Sequence, residues 1–402
     1  MLPPLKTIER GLRGTTEALA RELAHPGAAL PPWNELEWQL ASAAATVHGV
    51  AALLSKRSAW QQPTWQAFLA SQHAHVEQRH RRIEALLQQI DLGARAAGIA
   101  IVPLKGSALH AIGLYAAGER PMADIDLLVR GHDVQAASEL LVALGYEESY
   151  TQWKHRVFKP AGDSAVAGLG EHRDTPVNIE LHTRIQERLP ISVVDITERI
   201  YSSRQQPGLN AYPSPGALMC HLLLHAAGNF CSRTVRLLHL HDIAQLAARM
   251  HESDWDVLWQ ADTPPWWALP PLRMVQRYYP QAIPSAVLMR IARSCQPLLR
   301  GLSRHQDLTR VSCSALWLNA LPGIEWSRSA GEAVRCVINR FRPTAEAVKE
   351  RADMLRTQVW LQGQQHWVTM SQGKRILIRL TRPVPRPDTL YAVRAALTHF
   401  AT

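Results

Sequence analysis

Cysteine is scarce in this 402-residue chain: Cys220, Cys231, Cys295, Cys313 and Cys336 are an odd set with no Cys-x-x-Cys pair. That excludes a dense disulfide scaffold and a zinc ribbon, and it points to a reducing compartment. Phenylalanine is equally rare, at five residues. No window approaches the run of about 18 apolar residues that a membrane helix needs. The opening stretch MLPPLKTIERGLRG lacks the apolar centre of a signal peptide. A cytoplasmic protein with no membrane partner is therefore expected. Charged residues make up only 19% against 47% hydrophobic, which excludes a disordered chain. The length exceeds what one hydrophobic core fills, so two or three packed units are expected.

What the chain does have is a formal charge of +10 and thirteen tryptophans. Seven of the ten surplus positive charges fall in residues 331–402. The rest of the chain is nearly balanced, so the total is not a general sign of nucleic-acid binding. No RNP, zinc-finger or helix-turn-helix signature accompanies it, and nucleic acid is a disfavoured partner. The Arg/Pro run LIRLTRPVPRPDTLYAVR reads as a solvated basic surface, with an RNA-binding arm as the alternative. Trp255, Trp259, Trp266 and Trp267, set among prolines, read as packing anchors, with stacking on bases as the alternative.

Along the chain, residues 1–90 read as a helical region, 91–190 as an α/β core, 191–262 as helices packed on that core, and 263–402 as a helical, Trp- and Arg-rich region. The fold class expected is α/β (α+β): a small mixed sheet with predominantly helical flanks. Within the core, the periodicity predicts a helix ending at Gly98, a strand over 99–103, a helix over 107–116 and a strand over 124–129. A strand at 177–183 follows an ambiguous stretch, 146–175, in which Val157 and Phe158 carry strand character. From about 190 onward the pattern reads as helical.

Asp124-Ile125-Asp126 is the most informative triplet. On a strand, residues i and i+2 share a face with Cα atoms roughly 6–7 Å apart, so two carboxylates there repel unless a cation sits between them. Hard oxygen ligands of this kind suit Mg²⁺ beside substrate phosphates. Glu180, in the strand-like run VNIELH, adds a third acid if its strand lies beside the first. His182, two residues on, shares the face of Glu180 and is a candidate for the same cleft. Lys105-Gly106-Ser107 joins a strand to a helix, where Gly permits close approach and helix N–H groups, Ser107 and Lys105 can meet phosphate oxygens. Arg120 is a further candidate phosphate contact.

These residues carry a resemblance. LKGSALHAIGLYAAGERPMADIDLLV followed by VNIELH is similar to the nucleotidyltransferase superfamily that includes DNA polymerase β. It more closely resembles the bacterial uncharacterised nucleotidyltransferase family. The stretch HLLLHAAGNF…RLLHLHDIAQLA resembles that family's helical segment, with His225 and Asp242 at matching places, so the resemblance covers about 90–250. The Gly-Ser to Asp spacing is longer than in many superfamily members.

The resemblance implies a two-metal nucleotidyltransferase. Asp124, Asp126 and Glu180 would be both catalytic residues and ligands of two Mg²⁺ ions, with Mn²⁺ as the alternative. Lys105, Gly106, Ser107 and Arg120 would bind the nucleotide, while His182, His225 and Asp242 would line the cleft. It implies transfer of an NMP from an NTP, ATP favoured, to a hydroxyl or phosphate of an acceptor. A modified peptide or small metabolite is the expected acceptor. The alternatives are a non-catalytic, antitoxin-like nucleotide binder and an RNA-directed enzyme. His221, His225, His241 and Asp242 also approximate the ligand set of an HD-type phosphohydrolase, although packing is their favoured role.

Overall fold

The computed structural model describes residues 2–399 except residue 28, 163–165, 261–263, and 343–344, 346–347, 350–351, 353–357, 362–366 and 368. Four helices come first: α1 (Leu5–Ala24), α2 (Glu35–Val47), α3 (Ala51–Arg57) and the long α4 (Pro63–Ala97). Asn34 and Glu37 close a reciprocal capping box at the start of α2, and Pro63 opens α4 where a missing N–H costs nothing. Gly98 ends α4 at φ 70°, a left-handed conformation that a side chain would strain.

The core then alternates strands and helices: β1 (Ala100–Pro103), α5 (Lys105–Ala111), β2 (Asp124–Val129) and α6 (Val134–Ala143), with β3 (Tyr146–Thr151), β4 (His155–Pro160) and β5 (Asn178–His182) after them. Six strands form a mixed sheet in the order β3-β4-β5-β2-β1-β8, where β8 is Gly208–Leu209. β2 pairs with β5 and β1 with β8 in parallel; the other pairs are antiparallel. The expected α/β class with helical flanks is the observed one.

Some local expectations give way. The helix expected over 107–116 is α5, which begins at Lys105 and ends at Ala111, because Gly113 turns the chain at φ 64°. Leu114 and Tyr115 then fold back into the helical body. The stretch after residue 190 is not purely helical. β7 (Val193–Asp195) closes a hairpin with β6 (Gln186–Arg188), and β8 joins the main sheet. Runs of two or three residues are too short to show a period of two.

Beyond β7 come the short α7 (Thr197–Ile200), then α8 (Pro215–Ser232), capped by the Ser214 side chain, and α9 (Leu237–Ala247). Further helices include Leu269–Tyr278, Ala330–Phe341 and Pro387–His399. The sheet separates two apolar clusters. Ile101, Ile125, Leu127, Val129, Ile179 and Leu181 pack beneath Ile83 and Ile90 of α4 and Leu141 of α6. On the other face, Val102 and Leu128 join a larger cluster that runs from Ile8 to Ala396 and takes in α8 and α9. Trp255, Trp266 and Trp267 are buried in that cluster, the packing role expected of them. In the same cluster Trp33, Trp38 and Trp60 meet edge to face, and Trp65 lies tilted against Trp38 and Trp60, with ring centroids 4.8–6.2 Å apart. No described helix is long and apolar enough to cross a membrane, and all five cysteines are buried and free.

Candidate functional site

Parallel pairing of β2 with β5 sets Asp124 opposite Asn178, Asp126 opposite Glu180 and Leu128 opposite His182. Because alternate residues bury Ile125, Leu127, Ile179 and Leu181 beneath α4 and α6, the polar set faces the helical body. Apolar burial on one face thus fixes the register that gathers the acids on the other.

Lys105 enters this cluster from the β1–α5 turn, with Nζ 2.7 Å from Asp126 Oδ1. Its backbone sits at φ 46°, a region that non-glycine residues rarely adopt and that costs on the order of 1 kcal/mol. His182 Nε2 lies 3.1 Å from Asp126 Oδ1 and 3.5 Å from Glu180 Oε2. β4 places His155 opposite His182, with Nδ1 3.4 Å from Glu180 Oε2.

The charges are unequally balanced. Burial, reinforced by repulsion from Asp126 and Glu180, pushes the Asp124 carboxyl up to about 7, against Lys105 and Arg236. Burial also works against ionising Asp126, but Lys105 and His182 hold it well below the usual carboxylate range. Burial resists ionisation of Glu180 too, but His182, His155 and Lys105 together outweigh it and lower its pKa. For His182 the burial penalty is overcome by the same two carboxylates, which raise its pKa.

Two cavities meet at this cluster. One, of about 400 Å³, is lined by Lys105, Gly106, Asp124, Asp126, Glu180 and Arg236 among others. The other, of about 1150 Å³, includes His155, His182, Arg184, Arg188, Arg340 and Arg342 in its wall. Lys105, Glu180, His225 and Asn229 line both. In the larger cavity Lys154 is paired with Glu187, and Arg188 lies over the Trp153 ring at 4.3 Å.

Not every residue singled out in the sequence meets the cluster. Gly106 lines the smaller cavity, but its lack of a side chain serves packing: a Cβ there would collide with Arg120 Nη1 and lie 2.9 Å from Met122 Cγ. Ser107 is buried, its hydroxyl 3.9 Å from Met122 Sδ. Arg120 is committed elsewhere: Nε and Nη2 clasp Asp242 at 2.9 and 2.7 Å, and Nη1 donates to the Pro121 carbonyl. Asp242 also accepts from Tyr115 Oη at 2.8 Å. The guanidinium expected to meet phosphate is thus a buried strut in the cavity wall. His225 lies edge-on to His239 with ring centroids 5.0 Å apart, and burial pushes its pKa well below the usual value.

The HD-type constellation does not assemble. His221 pairs with Tyr212, His225 with Asn229, His241 with Tyr279 and Asp242 with Arg120. Two residues of the site escaped the sequence reading. His155 lay in the ambiguous stretch, and its only local signal was the strand character of Val157 and Phe158, two and three positions away. Arg236, which lines the smaller cavity with Asp124 and favours its ionised form, opens the very segment RLLHLHD that carried the resemblance.

A mixed sheet that presents clustered acids from paired strands beside a Lys-Gly turn is the layout of a nucleotidyltransferase. A family model described as "Uncharacterised nucleotidyltransferase" matches residues 34–267, more than half of the chain, and the chain belongs to that family. Comparison with curated proteins and with solved structures finds no match. The match begins well before the α/β core and takes in α2 to α9, so the helices around the sheet belong to the family unit as well.

Proposed function

We propose that this protein transfers a nucleoside monophosphate from an NTP, ATP favoured, to a hydroxyl or phosphate of an acceptor, releasing pyrophosphate. The observation that carries the reading is the Asp126–Glu180 register, which gathers carboxylates where two cavities meet. A transfer reaction needs two substrates at one reacting centre, and each cavity has room for one.

The donor set suits a divalent cation. It is made of hard oxygens, and Asp124 is a buried carboxyl whose repulsion by its neighbours exceeds what Lys105 and Arg236 offset. Asp124, Asp126 and Glu180 would hold Mg²⁺, with Mn²⁺ as the alternative. When bound, such ions neutralise charge on phosphate oxygens at both the entering and the leaving positions.

The chain's own groups do the rest. Lys105 and Arg236 supply positive charge for the triphosphate in the smaller cavity. His182 Nε2 orients Asp126 and Glu180 together. Glu180 Oε2, kept ionised, accepts the proton of the acceptor hydroxyl. Arg184, Arg188, Arg340 and Arg342 favour an acceptor that carries anionic groups, a peptide or small metabolite with phosphate or carboxylate substituents.

Pyrophosphate release from each NTP with Mg²⁺, compared between wild type and Asp126→Asn, tests the reading. The substitution is expected to lower the rate at least about a hundredfold, the scale of losing one preorganised electrostatic contact to the transition state. No release from any NTP, with phosphorylated and carboxylated acceptors supplied, refutes it.

A further inference from the structure

His155, Glu180 and His182 offer two imidazole nitrogens and a carboxylate oxygen, all within 4.8 Å of one another. From Glu180 Oε2 the separations are 3.4 Å to His155 Nδ1 and 3.5 Å to His182 Nε2. Ligands held at about 2.0–2.1 Å by a tetrahedral ion stand about 3.3–3.4 Å apart. Octahedral Mg²⁺, at nearly the same bond length, sets its neighbouring ligands only about 2.9–3.0 Å apart. The two separations from Glu180 fit the tetrahedral edge, and the third pair lies within 4.8 Å.

A second observation concerns His155. Its side chain is only 9% exposed, yet neither ring nitrogen has a hydrogen-bond partner. Buried polar atoms are rarely left so, and an imidazole without a hydrogen-bond partner beside a carboxylate and a second imidazole has a nitrogen available to a metal ion. The backbone holds the set firmly, since His155 and His182 are directly opposed on β4 and β5 and Glu180 lies on the same face. All three line the larger cavity, so a fourth coordination position opens onto it.

We propose that His155, Glu180 and His182 bind a divalent transition-metal ion of the zinc class, with His182 Nε2 giving up its proton to solvent and its contact with Asp126 to become a ligand. Three protein ligands and an open fourth position are the arrangement of a catalytic rather than a structural zinc site, and imidazole donors select such ions over Mg²⁺. The site shares Glu180 with the nucleotidyl-transfer reading and rests on that reading for its role. It puts a nitrogen-ligated ion beside the acceptor cavity, where an all-oxygen ion would otherwise be expected. Its existence does not depend on transfer taking place.

Full-length protein stripped with chelator and titrated with Co²⁺ tests the site by visible absorption. One equivalent is expected to produce the intense bands of four-coordinate Co²⁺, which Zn²⁺ abolishes and excess Mg²⁺ leaves. His155→Ala is expected to lose the bands and Asp124→Asn to keep them. X-ray absorption of the Zn²⁺-loaded wild type, which needs no variant to fold, is expected to show two imidazole ligands. Absent bands in the wild type, undiminished bands in His155→Ala, or fewer than two imidazoles would overturn the site. Bands present without pyrophosphate release from any NTP would sink the transfer reading and leave the site standing.

Discussion

Asp242→Ala removes the partner of a guanidinium that has nowhere else to go. The Arg120 and Asp242 side chains are 8% and 2% exposed, and two bonds of 2.9 and 2.7 Å join them in a fork. Tyr115 adds a third bond to the same carboxylate. Without Asp242, Arg120 keeps its charge but loses its only carboxylate among the described contacts, and Tyr115 loses its acceptor. Stranding one member of a buried pair costs about 3–5 kcal/mol.

The double variant Arg120→Met/Asp242→Leu behaves differently, because no buried charge remains and the volumes are roughly kept. Replacing a buried pair by apolar residues is often neutral or stabilising, so the double variant is expected within about 2 kcal/mol of wild type. Urea unfolding of the wild type, the single variants and the double variant reads the difference directly. A single variant within 1 kcal/mol of wild type, or a double variant as unstable as the sum of the two singles, refutes the reading of this pair as a strut. A stable Asp242→Ala protein with a tenfold-raised KM for NTP would restore Arg120 to the phosphate contact that its sequence position suggested.

Mild acid should destabilise the fold. Burial, the leading cause in each case, pushes His48, His221 and His241 down to about 3; the unfolded chain binds their protons below about pH 6.5, whereas the native chain does not. Stability is therefore fully retained above about 6.5 and falls toward 3, by up to about 1.4 kcal/mol per pH unit for each histidine. Denaturant midpoints followed from pH 7.5 to 5 check this, and a flat profile contradicts it. His48→Gln should soften the slope, since its Nδ1 accepts from the Leu237 N–H and cannot do so once protonated. Arg236→Ala, at an exposed side chain beside Asp124, should raise KM for NTP about tenfold without lowering the unfolding midpoint; an unchanged KM removes Arg236 from the triphosphate path. Gly106→Ala should cost about 1–3 kcal/mol, because the added methyl meets an Arg120 already pinned by Asp242. A thermal melt unchanged by that substitution would show that the turn has room to shift.

The acid–apolar alternation of Asp124 to Leu127 was legible because strand periodicity depends on neighbours two residues apart, and such neighbours are written consecutively. Glu180 was legible for the same reason, although its adjacency to Asp126 was conditional on strand order. Arg120 was legible only in part. Its closeness to Asp124 in sequence suggested a phosphate ligand, but the partner that decides its role is 122 residues away. His155 was hidden because only Val157 and Phe158 of its strand are fully buried and neither gives a period of two through His155, so its burial depends on β3 and β5 lying on either side.

By itself the sequence determined the chemistry in stock: three acids on strand faces, a Lys-Gly turn, helices with clear caps and a family likeness over about 90–250. Local backbone preferences and the two-residue period of a strand suffice for that. Tertiary structure alone decided which of these groups meet. The parallel pairing of β2 with β5 brought Asp126 to Glu180, and the antiparallel pairing of β4 with β5 brought His155 to His182. Packing of α9 against the α5–β2 connection gave Arg120, in the wall of the smaller cavity, Asp242 as its partner. Those pairings follow from burying apolar faces at long range, and the energy of that burial belongs to the whole core rather than to any segment of the chain.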